Sequence, residues 1–303
     1  MELAIGSIVR RVLFIIREEF KAERDKADRE AVEGGASSGR SSPSNASMQP
    51  SLSGVLASSH GSDYTAPVKN LLSNVMSQVN EELELLASVQ ESISDQAEDH
   101  IPDGAKILTF GKSRSVETFF RAAHKKNRSF QVMVVESAPY YGGTEMAKCL
   151  CAAGMDTTLI TDAAVFAVMP LVDKVFLPTH AVMANGGLIA PSGSHNVALA
   201  AREHGVPVVC ITGLFKLCPL YPHDLDAFNE LAGPEEVLDY EEDQALCDRA
   251  EVLNPEYDFV PPDLLDLYVT NTGGHQPSYV YRLLAEGYHP DDRTLNAAAL
   301  DNR

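Results

Sequence analysis

The sequence contains no tryptophan, few cysteines and no long apolar run. Its five cysteines, Cys149, Cys151, Cys210, Cys218 and Cys247, form no CxxC pair, so neither a disulfide framework nor a structural zinc site is predicted. No window approaches the roughly eighteen uninterrupted apolar residues that a membrane span needs. The first twenty residues also lack a signal-peptide core, and together these features predict a reduced, cytosolic protein.

Basic residues are scarce as well. Twenty-four Lys and Arg stand against forty-three Asp and Glu, which gives a formal net charge of −19 over 303 residues. A surface of this sign argues against duplex nucleic acid or anionic lipid as a partner. Because 45% of the residues are hydrophobic, the chain can still build one large domain or two ordinary ones with a sizeable core.

The first hundred residues are predicted to be helical with one interruption. Apolar residues recur at helical spacing from Leu3 to Val32 and from Ala66 to Gln96, with charged residues between them. From Glu33 to Thr65 the composition is mostly Ser, Gly, Ala, Asn and Pro, which buries too little apolar surface to offset the entropy of ordering. We therefore expect a helical region over 1–100 with a disordered insert over 33–65.

From residue 101 onward, short apolar runs alternate with helical stretches, which is typical of a parallel sheet. We predict a Rossmann-like, doubly wound α/β domain over 101–303. The predicted strands are Lys106–Phe110, Gln131–Val135, Thr158–Ile160, Lys174–Leu177, Val206–Ile211 and Asp266–Thr270, and the predicted helices are Ser115–Lys126, Gly143–Ala153, Ala163–Met169 and Gly193–His204. Ligands of such sheets bind outside the carboxyl ends of the strands, so the residues after each strand are the candidates for a site.

The turn after the first predicted strand contains Gly111, Lys112, Ser113 and Arg114. Gly-Lys-Ser suggests a phosphate loop, but a Walker A motif needs a glycine five positions before Gly111, where Lys106 stands. No GxGxxG opens a helix either. The favoured interpretation is that Gly111 allows a tight turn and that Ser113 or Ser115 caps the next helix.

A second candidate lies between the fourth predicted strand and the helix that follows it. Asn185, Gly186 and Gly187, with Ser192 in the run PSGSH, precede a helix whose amides could receive an anion such as a phosphosugar. Turns of this composition also occur where a strand simply leads into a helix. His180 could act as an acid or base, but no nucleophile or second titratable group stands at a matching position.

A third candidate is the end of the chain, where a predicted strand leads into a helix with two tyrosines and an arginine. Such side chains are typical of an interface anchor, although they could instead close the core. The candidate interface residues are Asn271, Gly273, Gly274, Ser278, Tyr279, Tyr281 and Arg282.

Four long runs carry a family resemblance. They are DGAKILTFGKSRSVETFF, VVESAPYYGGTEMAKCLCAAGMDTTLITDAAVFAVM, KVFLPTHAVMANGGLIAPSGSHNVALAA and YDFVPPDLLDLYVTNTGGHQPSYVYRLLAEGYHPDD. In this order, they resemble the regulatory alpha, beta and delta subunits of eukaryotic translation initiation factor 2B. The resemblance covers about residues 66–292 and the early run IVRRVLFIIREE, and it leaves out the Ser/Gly-rich insert.

The resemblance also implies how the site differs from that of related enzymes. The family shares its fold with sugar-phosphate isomerases, which use a cysteine, an aspartate and a phosphate-binding arginine where this sequence has Gly111, His180 and Ala138. Proton transfer needs an acid and a base within reach of the substrate, so a chain without catalytic residues, metal or cofactor is expected. The residues implied to line a vestigial pocket are Gly111, Lys112, Ser113, Arg114, Ala138, His180, Asn185, Gly186, Gly187 and Ser192.

By resemblance, the chain is expected to be a regulatory subunit of the guanine nucleotide exchange factor for initiation factor 2. It would assemble with alpha, delta, gamma and epsilon subunits and help to sense the phosphorylated alpha subunit of initiation factor 2. Two other classes stay open at this point. One is a phosphosugar isomerase that uses His180 and the loops over 185–194, and the other is a module that binds a metabolite.

Overall fold

The computed structural model describes residues 3–34, 70–223, 229–238 and 249–292. The α-helices in these ranges are α1 (Leu3–Gly34), α2 (Leu71–Asp95), α3 (Ala97–His100), α4 (Arg114–Lys125), α5 (Gly142–Ala152), α6 (Val165–Val168), α7 (Ser194–Glu203) and α8 (Val280–Gly287). The strands are β1 (Lys106–Phe110), β2 (Gln131–Val135), β3 (Asp156–Ile160), β4 (Lys174–Pro178), β5 (Ala181–Val182), β6 (Leu188–Pro191), β7 (Val208–Ile211), β8 (Tyr257–Val260), β9 (Leu267–Thr270) and β10 (Gly273–His275).

Seven of these strands form one sheet in the order β10-β9-β7-β4-β1-β2-β3. All neighbours pair in parallel except β9 and β10, which are antiparallel. The chain moves outward from β1 to β3 and then returns to place β4 on the other side of β1, so the order reverses between β1 and β4. The predicted α/β architecture is confirmed, and its switch point lies between those two strands.

The sheet is buried on both faces. Leu108, Phe110 and Val135 belong to one apolar cluster, whereas Ile107 and Val132, which point the other way, belong to the second. This arrangement explains why the central strands read as mostly apolar runs without a polar face, since a parallel sheet covered by helices has no solvent face. Helix α4 contributes Phe119 and Phe120 to the second cluster, which also includes Phe176 of β4.

A second, antiparallel sheet with the order β5-β6-β8 was missed by the sequence analysis. Two of its strands flank Asn185 and Gly186, which were predicted to lie in a loop leading to a helix. Strand β5 has only two residues, so it carries no recognisable alternation. Ala181 of β5 and Met183, which follows the strand, pack with Leu3 of α1.

Several element boundaries differ from the predicted ones. Strand β3 begins two residues earlier than predicted, at Asp156, and β7 begins at Val208 rather than Val206. The predicted helix over 163–169 is instead a single α-helical turn, α6, between two 3-10 turns. Pro170 contributes to this break because it lacks the amide hydrogen that a longer helix would need.

The N-terminal helices α1 and α2 confirm the two predicted amphipathic segments as far as they are described. Residues 66–69, where the second was expected to begin, lie outside the described residues. The expected disordered insert lies outside them from residue 35 onward, while Glu33 and Gly34 belong to α1. Among the described residues, no helix combines the length and apolar character that crossing a bilayer requires.

The chain divides into two compact units, Val12–Leu83 and the rest. Within Val12–Leu83, Ile15 and Phe20 are buried, and the side-chain amide of Asn74 donates a hydrogen bond of 2.9 Å to the carboxylate of Glu23. The other unit includes Met1–Arg11 and Glu84–Arg303. Whether the functional domain boundary falls near residue 100, as the sequence predicts, stays a prediction.

The larger unit joins the beginning of α1 to residues near its C-terminal end. Arg10 is buried, and its Nε donates a hydrogen bond of 3.0 Å to the carbonyl oxygen of Asp292. The hydroxyl of Tyr288 donates to the carbonyl of Leu217 at 2.8 Å. The runs IVRRVLFIIREE and YHPDD therefore meet in the tertiary structure, which gives both of them a role in packing.

Candidate functional site

The turns after β1 and β2 lie side by side at the carboxyl edge of the main sheet. The register aligns Phe110 with Val135, so the residues that follow them are neighbours. Gly111 has a φ of +61°, in the left-handed region, and a Cβ added there would lie 3.4 Å from Oγ of Ser137. A cysteine at this position would be strained, which supports the interpretation of Gly111 as a turn residue.

The charged residues of the first turn are exposed. Lys112 pairs with the carboxylate of Glu145 on α5, and this hydrogen bond raises the pKa of the lysine. Arg114 is the first residue of α4 and is also exposed. Ser113 occupies the N-cap position, but its side chain makes no capping hydrogen bond, so that part of the expectation is wrong. The helix instead begins with a backbone bond of 2.9 Å from the amide of Glu117 to the carbonyl of Ser113.

The turn after β2 is held by a carboxylate from the same chain. Asp162 accepts hydrogen bonds from the backbone amides of Ser137, at 3.0 Å, and Ala138, at 2.7 Å. Ala138 stands where the isomerases are expected to carry a phosphate-binding arginine. At this position the chain therefore satisfies its amides internally, by a charge-assisted hydrogen bond.

The amino terminus of α7, which was expected to be able to receive an anion, is also occupied. The carboxylate of Asp258 on β8 accepts from the amides of Gly193, at 2.6 Å, and His195, at 3.3 Å. Gly193 has a φ of +101°, and a Cβ there would lie 2.5 Å from Cζ of Phe110. An aromatic ring and a carboxylate thus fill the space in front of the helix, and the phosphate hypothesis for these amides is not supported.

Replacing Asp258 by alanine should destabilise α7. The change removes the acceptor of two helix amides and a favourable charge at the helix terminus, and we expect a loss of about 1–2 kcal/mol in the free energy of unfolding. Urea denaturation followed by circular dichroism measures this. Asp263→Ala, which removes an exposed carboxylate instead of a half-buried one, is the control. If both variants unfold at the wild-type urea midpoint, Asp258 does not cap the helix.

Asn185 and Gly186 form the turn of the hairpin between β5 and β6, and do not lead into a helix as predicted. Asn185 Oδ1 accepts from the amide of Gly187 at 3.0 Å. Gly186 has a φ of +81°, and a Cβ there would lie 2.7 Å from the carbonyl oxygen of Pro277. The buried Tyr268 hydroxyl donates to the carbonyl of Gly186. Turn geometry and close packing therefore explain the Asn-Gly pair.

His180 lies in the connection between β4 and β5. Its ring is half-buried and packs against Tyr257 with centroids 4.6 Å apart, while its amide donates to the carbonyl of Ile189 at 2.8 Å. Ser192, on the other side of the hairpin, donates its amide to Glu256 at 3.0 Å. His180 therefore bonds to strand β6 of the small sheet, and Ser192 bonds to the residue that precedes β8.

Lys216, in the turn after β7, is a polar group near the end of β4 that the sequence analysis missed. Its ammonium donates to the carbonyl of Thr179, the residue before His180, at 2.6 Å, and burial lowers its pKa. The residue lies in a short 3-10 turn after β7, and a lone lysine in a loop gives no pattern that a sequence could reveal. Among the described residues, no group of three or more His, Cys, Asp or Glu side chains could hold a metal ion.

Helix α8 has one buried side and one exposed side. Val280 and Leu284 are buried in the first apolar cluster, whereas Tyr281 is 64% exposed and the Arg282 side chain 68%. The alternative in which these two side chains close the core is therefore wrong. Asn271 is different, because its side-chain oxygen accepts from the amide of Leu214 at 3.0 Å and so serves the fold.

Four residues on β10, on α8 and in the 3-10 turn between them form what we call the stacked cluster: His275, Tyr279, Arg282 and Glu286. The rings of His275 and Tyr279 lie 5.1 Å apart and nearly parallel, at 7°, and the guanidinium of Arg282 sits 5.6 Å from the Tyr279 centroid. Arg282 also bonds to Glu286 at 3.0 Å. Burial lowers the pKa of His275, which favours the neutral imidazole for stacking.

The stacked cluster is therefore held together by contacts within the chain itself. Stacking and cation–π contact favour this arrangement of the side chains over others. The sequence analysis named Tyr279 and Arg282 but missed His275 and Glu286. The sequence did contain a signal for Glu286. It lies four residues after Arg282, and that spacing places two residues on the same side of a helix, where opposite charges can pair. Gly273, Gly274 and Ser278 lie on the strand and turn that support the cluster.

The fold and the residues described above are those of a known class of protein. Residues 35–277 match the family described as the initiation factor 2 subunit family, and the chain belongs to this family. Within it, the chain is 44% identical to the translation initiation factor eIF2B subunit beta of Dictyostelium discoideum, over 96% of this chain and 81% of the relative. It is 39% identical to the subunit of the same name from Schizosaccharomyces pombe, over 97% and 82%. The terminal runs YVYRL and YHPDD, which resemble the beta type, agree with these names.

Solved structures lead to the same subfamily. The crystal structure of eIF2B beta from Chaetomium thermophilum is similar with a TM-score of 0.63 and 28% identity, over 96% of this chain and 72% of that chain. The tetrameric eIF2B-beta2-delta2 complex from C. thermophilum contains a similar chain, with a TM-score of 0.64 and 28% identity over 94% of this chain and 74% of that one.

Proposed function

We propose that this chain is a beta-type regulatory subunit of the guanine nucleotide exchange factor for initiation factor 2. In this role it has no catalytic residues of its own and works by binding the alpha, delta, gamma and epsilon subunits in the cytosol. The identity of 44% to a named beta subunit, spread over nearly the whole chain, is the observation that carries the proposal. It also helps to sense initiation factor 2 whose alpha subunit is phosphorylated.

The exposed stacked cluster supports binding as the chain's work. Tyrosine and arginine anchors contribute most of the free energy in many protein interfaces, and side chains that are already ordered lose less entropy on association. We assign the contact with other subunits to β10, α8 and the 3-10 turn between them, through Gly273, Gly274, Ser278, Tyr279, Tyr281 and Arg282. The C. thermophilum relative, which was solved as a complex of beta and delta subunits, supports a delta subunit as one neighbour.

Native mass spectrometry tests the proposal. The chain, tagged at its own locus, is purified from its own cells at low salt and the masses of the intact particles are measured. We expect particles that contain the alpha, delta, gamma and epsilon subunits, and binding of initiation factor 2 that changes when its alpha subunit is phosphorylated. Recovery of the chain without any of these subunits would contradict the proposed function.

We further expect no turnover of ribose 1,5-bisphosphate or methylthioribose 1-phosphate. Gly111, Ala138 and His180 stand where the resemblance requires a thiol, a guanidinium and a carboxylate, and amides nearby are already bonded to Asp162 and Asp258. Product formation is followed by phosphorus NMR with purified chain. Turnover that disappears in His180→Ala would replace the regulatory assignment by the isomerase.

A further inference from the structure

A small cavity lies at the amino ends of β7 and β9, at the edge of the main sheet opposite to the turns described above. It has a volume of about 230 Å³ and is lined by the last turn of α7, the turn into β7 and the segment before β9. Ligands of this class of sheet bind outside the carboxyl ends of the strands, so the cavity is separate from that site. Its volume is below the roughly 300–1,000 Å³ of pockets for drug-sized ligands, which restricts it to a smaller molecule.

Three charged side chains line this cavity: Arg202, Asp263 and Asp266. Within the part of the chain that the structure describes, the guanidinium of Arg202 and the carboxylate of Asp263 form no hydrogen bond and no ion pair, either with each other or with another group. Opposite charges that line one cavity without pairing are both available to a ligand. A ligand that matches them carries a negative and a positive group.

The third charged residue, Asp266, is held in place by β7. Its amide donates to the carbonyl of Val208 at 3.0 Å, and its Oδ2 accepts from the amide of Val208 at 2.7 Å. These two bonds fix the carboxylate at the cavity wall. Because the group is already positioned, binding of a ligand cation to it costs little entropy.

The rest of the cavity wall is apolar or open. Val206, Val208 and Leu264 are buried residues of the lining. Gly205 has a φ of +68°, and a Cβ added there would meet no atom within 4 Å, so this turn borders open space. An aliphatic group that enters the cavity therefore leaves water for an apolar surface, which is favourable.

We propose that this cavity binds a small aliphatic α-amino acid in its zwitterionic form. The carboxylate of the ligand pairs with the guanidinium of Arg202, whose planar shape suits two parallel hydrogen bonds to a carboxylate. The ammonium of the ligand pairs with Asp263 and Asp266, and its side chain packs on the apolar wall. Every lining residue comes from this chain, so binding does not require another subunit.

The charge of the lining distinguishes this ligand from others. Two carboxylates against one guanidinium repel a phosphorylated molecule, so a nucleotide or a sugar phosphate does not match. A simple cation leaves Arg202 without a counterion. The amino terminus of a peptide has the ammonium but no carboxylate beside it. A free amino acid carries both charges close together and satisfies all three side chains.

Isothermal titration calorimetry of the full chain with L-leucine tests the proposal. We expect saturable binding of one leucine per chain with a Kd of about 1 mM or tighter. Leucine amide, which lacks the carboxylate, and 4-methylpentanoate, which lacks the ammonium, should each bind about tenfold more weakly or worse, because each loses one charge-assisted contact. These two probes also separate a free amino acid from a peptide terminus as the ligand.

Variants of the charged residues identify the site. Arg202→Gln and Asp263→Asn should each weaken leucine binding by about tenfold or more, whereas Glu203→Gln is the matched control, since it removes an exposed carboxylate outside the lining. Leucine amide should bind equally to the wild type and to Arg202→Gln. In contrast, 4-methylpentanoate should bind Asp263→Asn more tightly than the wild type, because one repulsive carboxylate is removed.

Three results would overturn the proposal. They are the absence of saturable leucine binding at several millimolar, leucine amide that binds as tightly as leucine, and leucine binding that is the same in both variants as in the wild type. Circular dichroism checks that the variants fold. If one of them does not fold, the comparison of the three ligands on the wild-type chain decides by itself.

Discussion

Tyr281→Ala and Arg282→Ala should each weaken co-purification with the neighbouring subunit by about thirtyfold or more, without loss of folding. Anchors at the centre of an interface commonly cost more than about 2 kcal/mol when truncated. Both side chains are exposed, whereas the residues of α8 that pack in the core are Val280 and Leu284. The melting temperature by circular dichroism should therefore stay at the wild-type value.

Controls of the same chemistry are available on another surface. Tyr141→Ala removes a tyrosine that is 53% exposed, and Arg114→Ala removes an exposed arginine, both near the carboxyl edge of the sheet. These variants should assemble like the wild type. If the Arg282 variant also assembles normally, the stacked cluster is not an interface, and if the Tyr281 variant does, its side chain is not an anchor. If they unfold instead, α8 depends on these side chains for packing, and the contact must be sought elsewhere.

Gly143→Ala should be among the most damaging single substitutions in the chain. A Cβ at this position would lie 1.9 Å from the carbonyl oxygen of Val135, where α5 crosses the end of β2. The obstacle is backbone in a central strand, so the helix or the strand must shift. We expect a loss of about 3 kcal/mol or more in the free energy of unfolding and a melting temperature lowered by roughly 5–10 °C.

The adjacent Gly142 provides the control for this prediction. A Cβ there would meet Cβ of Lys112 at 3.4 Å, an ordinary contact, and alanine is a better helix former than glycine. Gly142→Ala should therefore melt within a few degrees of the wild type or slightly above it. Equal melting temperatures for the two variants would show that α5 adjusts freely, and that its close approach to β2 is not a constraint.

The sequence predicted the main sheet well because each central strand is buried on both faces. Lys106–Phe110 and Gln131–Val135 read as mostly apolar runs without strict alternation, and their bounds are confirmed. Strand β3 was predicted too short because Asp156 and Thr157 are polar residues at an exposed edge. The small sheet was missed because β5 is two residues long and becomes a strand only by pairing with β6.

The candidate sites were less predictable from sequence. A helix that begins with Gly193 and Ser194 looks able to bind an anion, and only the fold shows that Asp258, more than sixty positions away in sequence, already occupies it. Similarly, Tyr281 and Arg282 could be identified as anchors or as core residues from their chemistry alone. Their exposure became known only when Val280 and Leu284 were placed in the core.

By itself, the sequence determined the class of fold, the acidic charge, the paired amphipathic helices and the family, because these follow from local pattern and from residues in a fixed order. The tertiary structure alone decided which polar groups are already satisfied, as with Asp162 and Asp258, and which aromatic side chains remain exposed, as with Tyr281. The physical reason is that hydrogen bonding and exposure depend on contacts between residues far apart in the chain, and local sequence patterns do not encode those distances.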